Sequence, residues 1–230
     1  AKSAILCVHG LGLDNQAFTA FGHEMASRGY AVYAMDVRGF GAWLTTPGQE
    51  ELRLQEAIND IGSILGLVGD RHPNTPVFIL GESMGGAIAL RAGARYFKEI
   101  NGVISSVPSA ERFQSKKMGL SVAVHFLKNP NKPFNVGEMV QKKATAITEN
   151  REAWNQDLKA KMEMSPKELM RFAIFMRETK RQCDQIHLPV FFVQGLKDRL
   201  VKPRGTYELF EAIAGQDKDL FIVGSEEHLI

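Results

Sequence analysis

Val77-Phe78-Ile79-Leu80-Gly81-Glu82-Ser83-Met84-Gly85-Gly86 is the stretch on which the fold turns. Four apolar residues are followed by a G-x-S-x-G pattern and then by helical spacing from Met84 to Phe97, which reads as strand, sharp turn, helix. Glycine and serine are common, so the five-residue pattern alone says little; the strand before it and the helix after it give it meaning. A serine on such a turn holds its hydroxyl clear of the backbone, at the N-terminal end of a helix. A side chain two places to either side would run into the neighbouring strand or helix. Gly81, Gly85 and Gly86 meet that requirement.

Working outward, the same alternation repeats. Ala4-Ile5-Leu6-Cys7-Val8 is a short continuous apolar run, as expected of a strand buried on both faces, and it ends in His9-Gly10-Leu11-Gly12. Residues 15–28 read as a helix stopped by Gly29. Tyr30 to Met35 is a second strand, closed by Asp36-Val37-Arg38-Gly39-Phe40-Gly41. Leu54, Ile58, Ile61, Leu65 and Val68 fall at helical spacing, and Pro73 and Pro76 mark the return to the strand at 77. Val103 to Val107 reads as a fourth strand ended by Pro108. Pro189 to Val193 and Leu220 to Val223 supply two more, around a helix near 204–214. Strands alternating with helices predict an α/β fold, a mostly parallel sheet with helices on both faces. Residues 109–186 break the rhythm, with no convincing strand and helical segments at 119–128 and 166–180. The expected organisation is a core of residues 1–108 and 187–230 with a helical cap, 109–186, inserted between its halves.

A serine hydroxyl is a poor nucleophile near neutral pH without a base, and the base needs an orienting group. Asp198 follows the strand near 189–194, in Gly195-Leu196-Lys197-Asp198-Arg199, and His228 follows the last strand, in Gly224-Ser225-Glu226-Glu227-His228. Both emerge at carboxyl ends of strands, the edge where ligands bind in open α/β sheets. Ser83, Asp198 and His228 are therefore the candidate catalytic residues. Asp217 and Asp219 are weaker substitutes for the carboxylate, and His23, His72, His125 and His187 occupy poorer positions for the base. Acyl transfer also needs two donors aimed at the developing oxyanion, the loss of one costing about 2.7–4 kcal/mol. The backbone N–H groups of Met84 and Leu11 are the candidates for this oxyanion hole. Gly10 and Gly12 let the backbone approach a substrate. His9 is expected to fix its loop rather than do chemistry. Asp36 and Arg38 are expected to be a loop-stapling pair rather than catalytic groups, and Glu226 and Glu227 to be solvated acids.

Composition narrows the function classes. The 230 residues carry 28 Lys and Arg against 26 Asp and Glu, a formal charge of +2, too balanced to argue for nucleic acid. The pairs Lys116-Lys117 and Lys142-Lys143 read as solvated surface. No apolar stretch reaches the length of a membrane-spanning helix, and no signal peptide is visible. Cys7 and Cys183 form neither a disulfide framework nor a metal site, which favours a reducing, cytoplasmic location. No metal or organic cofactor is required by this chemistry, and nothing in the composition sets an oligomeric state. The chain begins with Ala1, so an upstream segment trimmed away is the expectation.

Taken together, His9-Gly10-Leu11-Gly12, Asp36 to Gly41, Gly81 to Gly86, Gly195 to Arg199 and His228 resemble the α/β-hydrolase superfamily, and within it the monoacylglycerol lipase-like branch, the serine aminopeptidase family. The resemblance spans nearly the whole chain outside the cap. It implies the Ser-Asp-His triad and oxyanion hole named above, and a preference for esters of long acyl chains or lysophospholipids. Many relatives carry histidine where Glu82 stands here; glutamate is similar to the plant-type lipases and esterases of the branch. The chain starts at what would be the third strand of that fold and stops two residues after His228, before the helix that normally follows. This implies a trimmed chain or a minimal relative.

In the cap, Met118, Leu120, Val122, Val124, Phe126 and Leu127 crowd one segment, and Leu169, Met170, Phe172, Phe175 and Met176 another. Such spacing is first of all packing against the core, but flexible Met and Phe side chains also suit acyl chains at an entrance. The expected partner is a small hydrophobic ester, with monoacylglycerol the best single guess. Contact with membranes is expected to be transient at most. The same triad serves thioesterases, acyltransferases and peptidases; a peptidase would need carboxylates for a free amine, for which Glu138, Glu149, Glu152 and Glu163 are candidates. A non-catalytic receptor that keeps the pocket is the reading from a different class.

Overall fold

A computed structural model describes residues 1–108, 133–135 and 163–228. Six strands form one sheet: β1 (Ala4–Val8), β2 (Ala31–Met35), β3 (Val77–Glu82), β4 (Gly102–Ser106), β7 (Val190–Gly195) and β8 (Lys218–Val223). Their order is β2-β1-β3-β4-β7-β8, and every neighbouring pair is parallel. The register sets Val8 beside Gly81 and Glu82 beside Ser106, so the loops after β1, β3 and β4 leave one edge of the sheet together.

Helices follow from the patterns that predict them. α1 (Thr19–Ser27) is preceded by a 3-10 turn, Asn15–Phe18, whose N-cap Asp14 accepts from the Gln16 N–H; the single helix expected over 15–28 is thus split. α2 (Leu54–Arg71) buries Leu54, Ile58, Ile61, Leu65 and Val68 on one face. α3 (Met84–Arg95) is buried through its first ten residues, Met84 to Gly93, because it runs beneath the centre of the sheet. α5 (Pro203–Ala212) starts at a proline, which suits a first helical position.

The stretch expected to be a wholly helical cap contains two short strands, β5 (Phe134–Asn135) and β6 (Glu163–Met164), paired antiparallel. Two residues each are too short to leave a period in the sequence. α4 (Pro166–Gln182) follows, slightly longer than predicted. Its start is over-determined: Pro166 sits at the first position, and Ser165 and Glu168 form a reciprocal capping box. The second Glu168 oxygen accepts the Leu52 N–H at 2.8 Å, tying the helix to the loop before α2. Phe172, Phe175 and Met176 belong to the same hydrophobic cluster as β1, β3 and α3. Arg91 on α3 lies over the Phe175 ring at 3.9 Å and donates to Gln182 at 3.1 Å. Packing against the core therefore accounts for Phe172, Phe175, Met176 and the partly buried Leu169, while Met170 is exposed. The helical segment expected at 119–128, with its apolar run, lies outside the described residues.

Candidate active site

The turn between β3 and α3 puts Ser83 at φ 54°, ψ −109°, a left-handed backbone that a serine adopts only where its surroundings enforce it. The enforcement comes from the glycines. A Cβ on Gly81 would collide with the carbonyl of Gly85, and one on Gly85 would collide with the carbonyl of Val8. A Cβ on Gly86 would stand 3.0 Å from Ser105 Oγ. The three glycines let β1, β3, β4 and the first turn of α3 meet backbone to backbone. Ser83 is left facing the sheet edge, only 4% exposed.

Asp198 lies on the loop after β7 and His228 on the loop after β8, and the two loops abut. Lys197 N–H donates to the Glu226 carbonyl at 2.9 Å, and a Cβ on Gly195 would collide with the Glu227 carbonyl. His228 Nδ1 lies 2.7 Å from Asp198 Oδ2, and His228 Nε2 lies 3.0 Å from Ser83 Oγ. Three residues up to 145 positions apart thus form one continuous hydrogen-bonded chain, with Asp198 3% and His228 2% exposed. A carboxylate accepts only, so the Nδ1 proton points at Asp198, and neutral Nε2 is free to accept from the serine.

The Asp198 carboxylate has further donors. Oδ1 accepts the N–H groups of Leu200 and Val201, both at 2.8 Å, and Oδ2 accepts Gln194 Nε2 at 3.2 Å. Gln194 is itself 1% exposed, and its Oε1 accepts the Thr206 hydroxyl at 2.5 Å. Sequence reading passed over both residues. The signal was a glutamine ending the otherwise apolar run Val190-Phe191-Phe192-Val193, a polar side chain where burial demands a partner.

The turn after β1 lies against the serine. A Cβ on Gly10 would sit 3.5 Å from Ser83 Cβ, while Gly12, at φ 85°, faces open space. Met84 is the first residue of α3, so its N–H has no partner within the helix and points out of the N-terminus beside Ser83. Leu11 lies in the same turn as Gly10 and is buried. His9 fixes that turn: Nε2 accepts the Val37 N–H at 2.9 Å, which leaves the proton on Nδ1 to donate to the Gly10 carbonyl at 2.8 Å. Burial holds its pKa below the ordinary histidine value.

Asp36 and Arg38 staple their loop separately rather than as a pair. Asp36 accepts the N–H groups of Asn15 and Ala42, at 2.8 and 2.9 Å. Arg38 makes a two-pronged contact with Asp60 at 2.7 and 2.8 Å and lies over the Trp43 ring. His72 hydrogen-bonds Tyr33 far from the serine, and His125 is outside the described residues. Glu82 is half-buried; burial pushes its carboxyl above the ordinary value, with the nearby His228 charge acting in the opposite sense. Cys7 and Cys183 are free and buried, their thiols pushed up to about 12 by desolvation. Among the described residues no helix is long and apolar enough to cross a membrane.

Comparison with known proteins shows the family. The family model described as serine aminopeptidase, S33 matches residues 1–230. The monoacylglycerol lipase of Mycolicibacterium smegmatis is 25% identical over 95% of this chain and 78% of its own length. The monoglyceride lipase of Mus musculus is 23% identical over 100% of this chain and 76% of its own. Among solved structures, the monoacylglycerol lipase of Paleococcus ferrophilus superposes with a TM-score of 0.83 at 23% identity, covering 99% of this chain and 86% of that one. A monoglyceride lipase variant from Saccharomyces cerevisiae, in complex with a substrate analogue, gives 0.83 at 19% identity, covering 99% and 79%. With the parallel sheet and the serine elbow, these matches identify the chain as an α/β-hydrolase of the serine aminopeptidase S33 family, in its monoacylglycerol lipase-like branch.

Proposed function

We propose that this chain hydrolyses carboxylic esters of hydrophobic acyl groups, monoacylglycerols first among them, with Ser83 as nucleophile, His228 as general base and Asp198 as the group that orients it. The observation that carries the reading is the unbroken chain from Asp198 Oδ2 through His228 to Ser83 Oγ, at 2.7 and 3.0 Å. Ester hydrolysis is the coarse reaction that family membership supports.

In the proposed cycle His228 Nε2 takes the Ser83 proton as Oγ adds to the ester carbonyl, and Asp198 stabilises the imidazolium. The oxyanion is held by the Met84 and Leu11 amides, with Gly10 and Gly12 leaving the backbone open to the substrate. His228 then protonates the departing alcohol. A water molecule deprotonated by His228 attacks the acyl-Ser83 ester, releasing the acid and restoring the hydroxyl. Neither step calls for a metal or organic cofactor. The cap expected over residues 109–186 is proposed to set acyl selectivity; its residues 109–132 and 136–162 lie outside the described residues. The buried free thiols Cys7 and Cys183 fit a reducing compartment such as the cytoplasm.

The test is hydrolysis of monoacylglycerols of short, medium and long chain, beside thioesters and aminoacyl amides, with Ser83→Ala as control. The reading expects kcat/KM to rise with chain length on the esters and to vanish in the variant. Cleavage of aminoacyl amides in preference to every ester would replace it with a peptidase.

A further inference from the structure

We infer that Gln194 and Thr206 form a positioning relay that fixes the Asp198 carboxylate for His228. The inference rests on the assignment of Asp198 and His228 above and goes beyond it. Asp198 Oδ2, the oxygen facing His228 Nδ1, is also the oxygen that receives Gln194 Nε2. The same Nε2 donates to the Gly195 carbonyl at 2.9 Å, so it sits between two acceptors. The reverse orientation of the amide would set its carbonyl against both. The Thr206 hydroxyl, donating to Oε1, locks the orientation that keeps the N–H groups on Asp198.

All four side chains are buried: Thr206 0%, Gln194 1%, His228 2% and Asp198 3% exposed. In such a site a misdirected dipole is not screened by water, and an unpaired polar group is costly. Gln194 is the penultimate residue of β7 and Thr206 lies on α5, so the relay anchors the Asp198 loop to two rigid elements. Its electrostatic sense is also defined. A donor on Oδ2 draws negative charge from the oxygen that faces His228 Nδ1. Loss of that donor, or reversal of the amide, leaves more charge on the oxygen and favours the imidazolium. Glu82 on β3, which also faces His228, is unchanged in every variant and so does not move the profile.

Thr206 supplies a pair of variants with opposite expectations. Thr206→Val keeps the shape and the methyl group but loses the hydroxyl; Thr206→Ser keeps the hydroxyl but loses the methyl. Steady-state kinetics on a hydrophobic ester across pH, with the rate of fluorophosphonate labelling at Ser83, read the effect. The relay predicts that Thr206→Val lowers kcat by up to about tenfold, the upper end for one neutral hydrogen bond. KM stays near wild type, and the acidic limb of the kcat/KM profile moves to higher pH. Thr206→Ser stays near wild type in all three. Gln194→Met, of similar volume and with no donor, moves the limb in the same direction and keeps the test decisive should Thr206→Val fold poorly. Equal loss in Thr206→Ser and Thr206→Val, or an unmoved limb in Gln194→Met, overturns the relay and reduces both residues to packing. Wild-type protein that takes no adduct at Ser83 overturns the underlying assignment instead.

Discussion

Replacing Gly85 by alanine adds one methyl group at the closest approach in the fold. That carbon would overlap the Val8 carbonyl oxygen, stand 2.6 Å from the Val8 carbonyl carbon and 2.8 Å from the His9 oxygen, where ordinary contact begins near 3.4 Å. All three obstacles are backbone of a central strand and its turn, so no side-chain rotation relieves them. Either β1 or the first turn of α3 must move by more than half an ångström. Overpacking of a well-filled site costs about 1–3 kcal/mol, and obstruction by backbone belongs at the upper end. For a domain of this size, about 3 kcal/mol lowers Tm by roughly 6–12 °C. The displaced turn carries Ser83 and the Met84 amide, and a shift of about 1 Å at a reacting group costs on the order of a hundredfold. Thermal unfolding and ester kinetics are therefore both expected to suffer. Gly66→Ala is the control: its Cβ would meet nothing within 4 Å, on a helix where alanine is preferred. Gly85→Ala with the Tm and kcat/KM of wild type would refute the claim that backbone contact at Gly85 sets the serine turn.

Three further outcomes are expected. The folded chain holds the Glu82 proton more tightly than the unfolded chain, so stability falls as pH rises from the ordinary value of 4.5 through the raised one; Glu82→Gln should raise Tm at pH 7, with the gain disappearing below pH 4.5, and an equal gain at both would contradict this. Phe172→Ala, which empties a site 3% exposed, should cost about 3–5 kcal/mol by denaturant unfolding; Met170→Ala on the exposed face should stay within about 0.5 kcal/mol, and equal costs would remove α4 from the core. Asp198→Asn should lower kcat by about 10⁴-fold while leaving the fold intact by circular dichroism; activity near wild type would transfer the orienting role to another carboxylate.

The strands and the site were legible to different depths, for physical reasons, and the order of the strands in the sheet was not read from the sequence. β1 and β3 announce themselves because central parallel strands are continuous apolar runs, and the serine turn because its glycines are required by contacts no other residue permits. Ser83, Asp198 and His228 could be singled out because each follows a readable strand. Gln194 and Thr206 could not be paired from sequence, since hydrogen bonding between residues 12 positions apart on a strand and a helix has no period to reveal it. The β5–β6 ladder is too short to pattern, and the capping box at Ser165 and Glu168 was written in the sequence but went unread. Asp36 and Arg38 were legible as loop residues, but proximity in sequence suggested a pair where the fold gives each its own partners.

The most direct measurement is reaction of the folded protein with a fluorophosphonate serine-hydrolase probe, mapped by peptide mass spectrometry, with Ser83→Ala and His228→Ala beside it. The account predicts a single adduct on Ser83, absent in the first variant and formed far more slowly in the second. An adduct on another serine, or labelling of Ser83 at the same rate without His228, would contradict it.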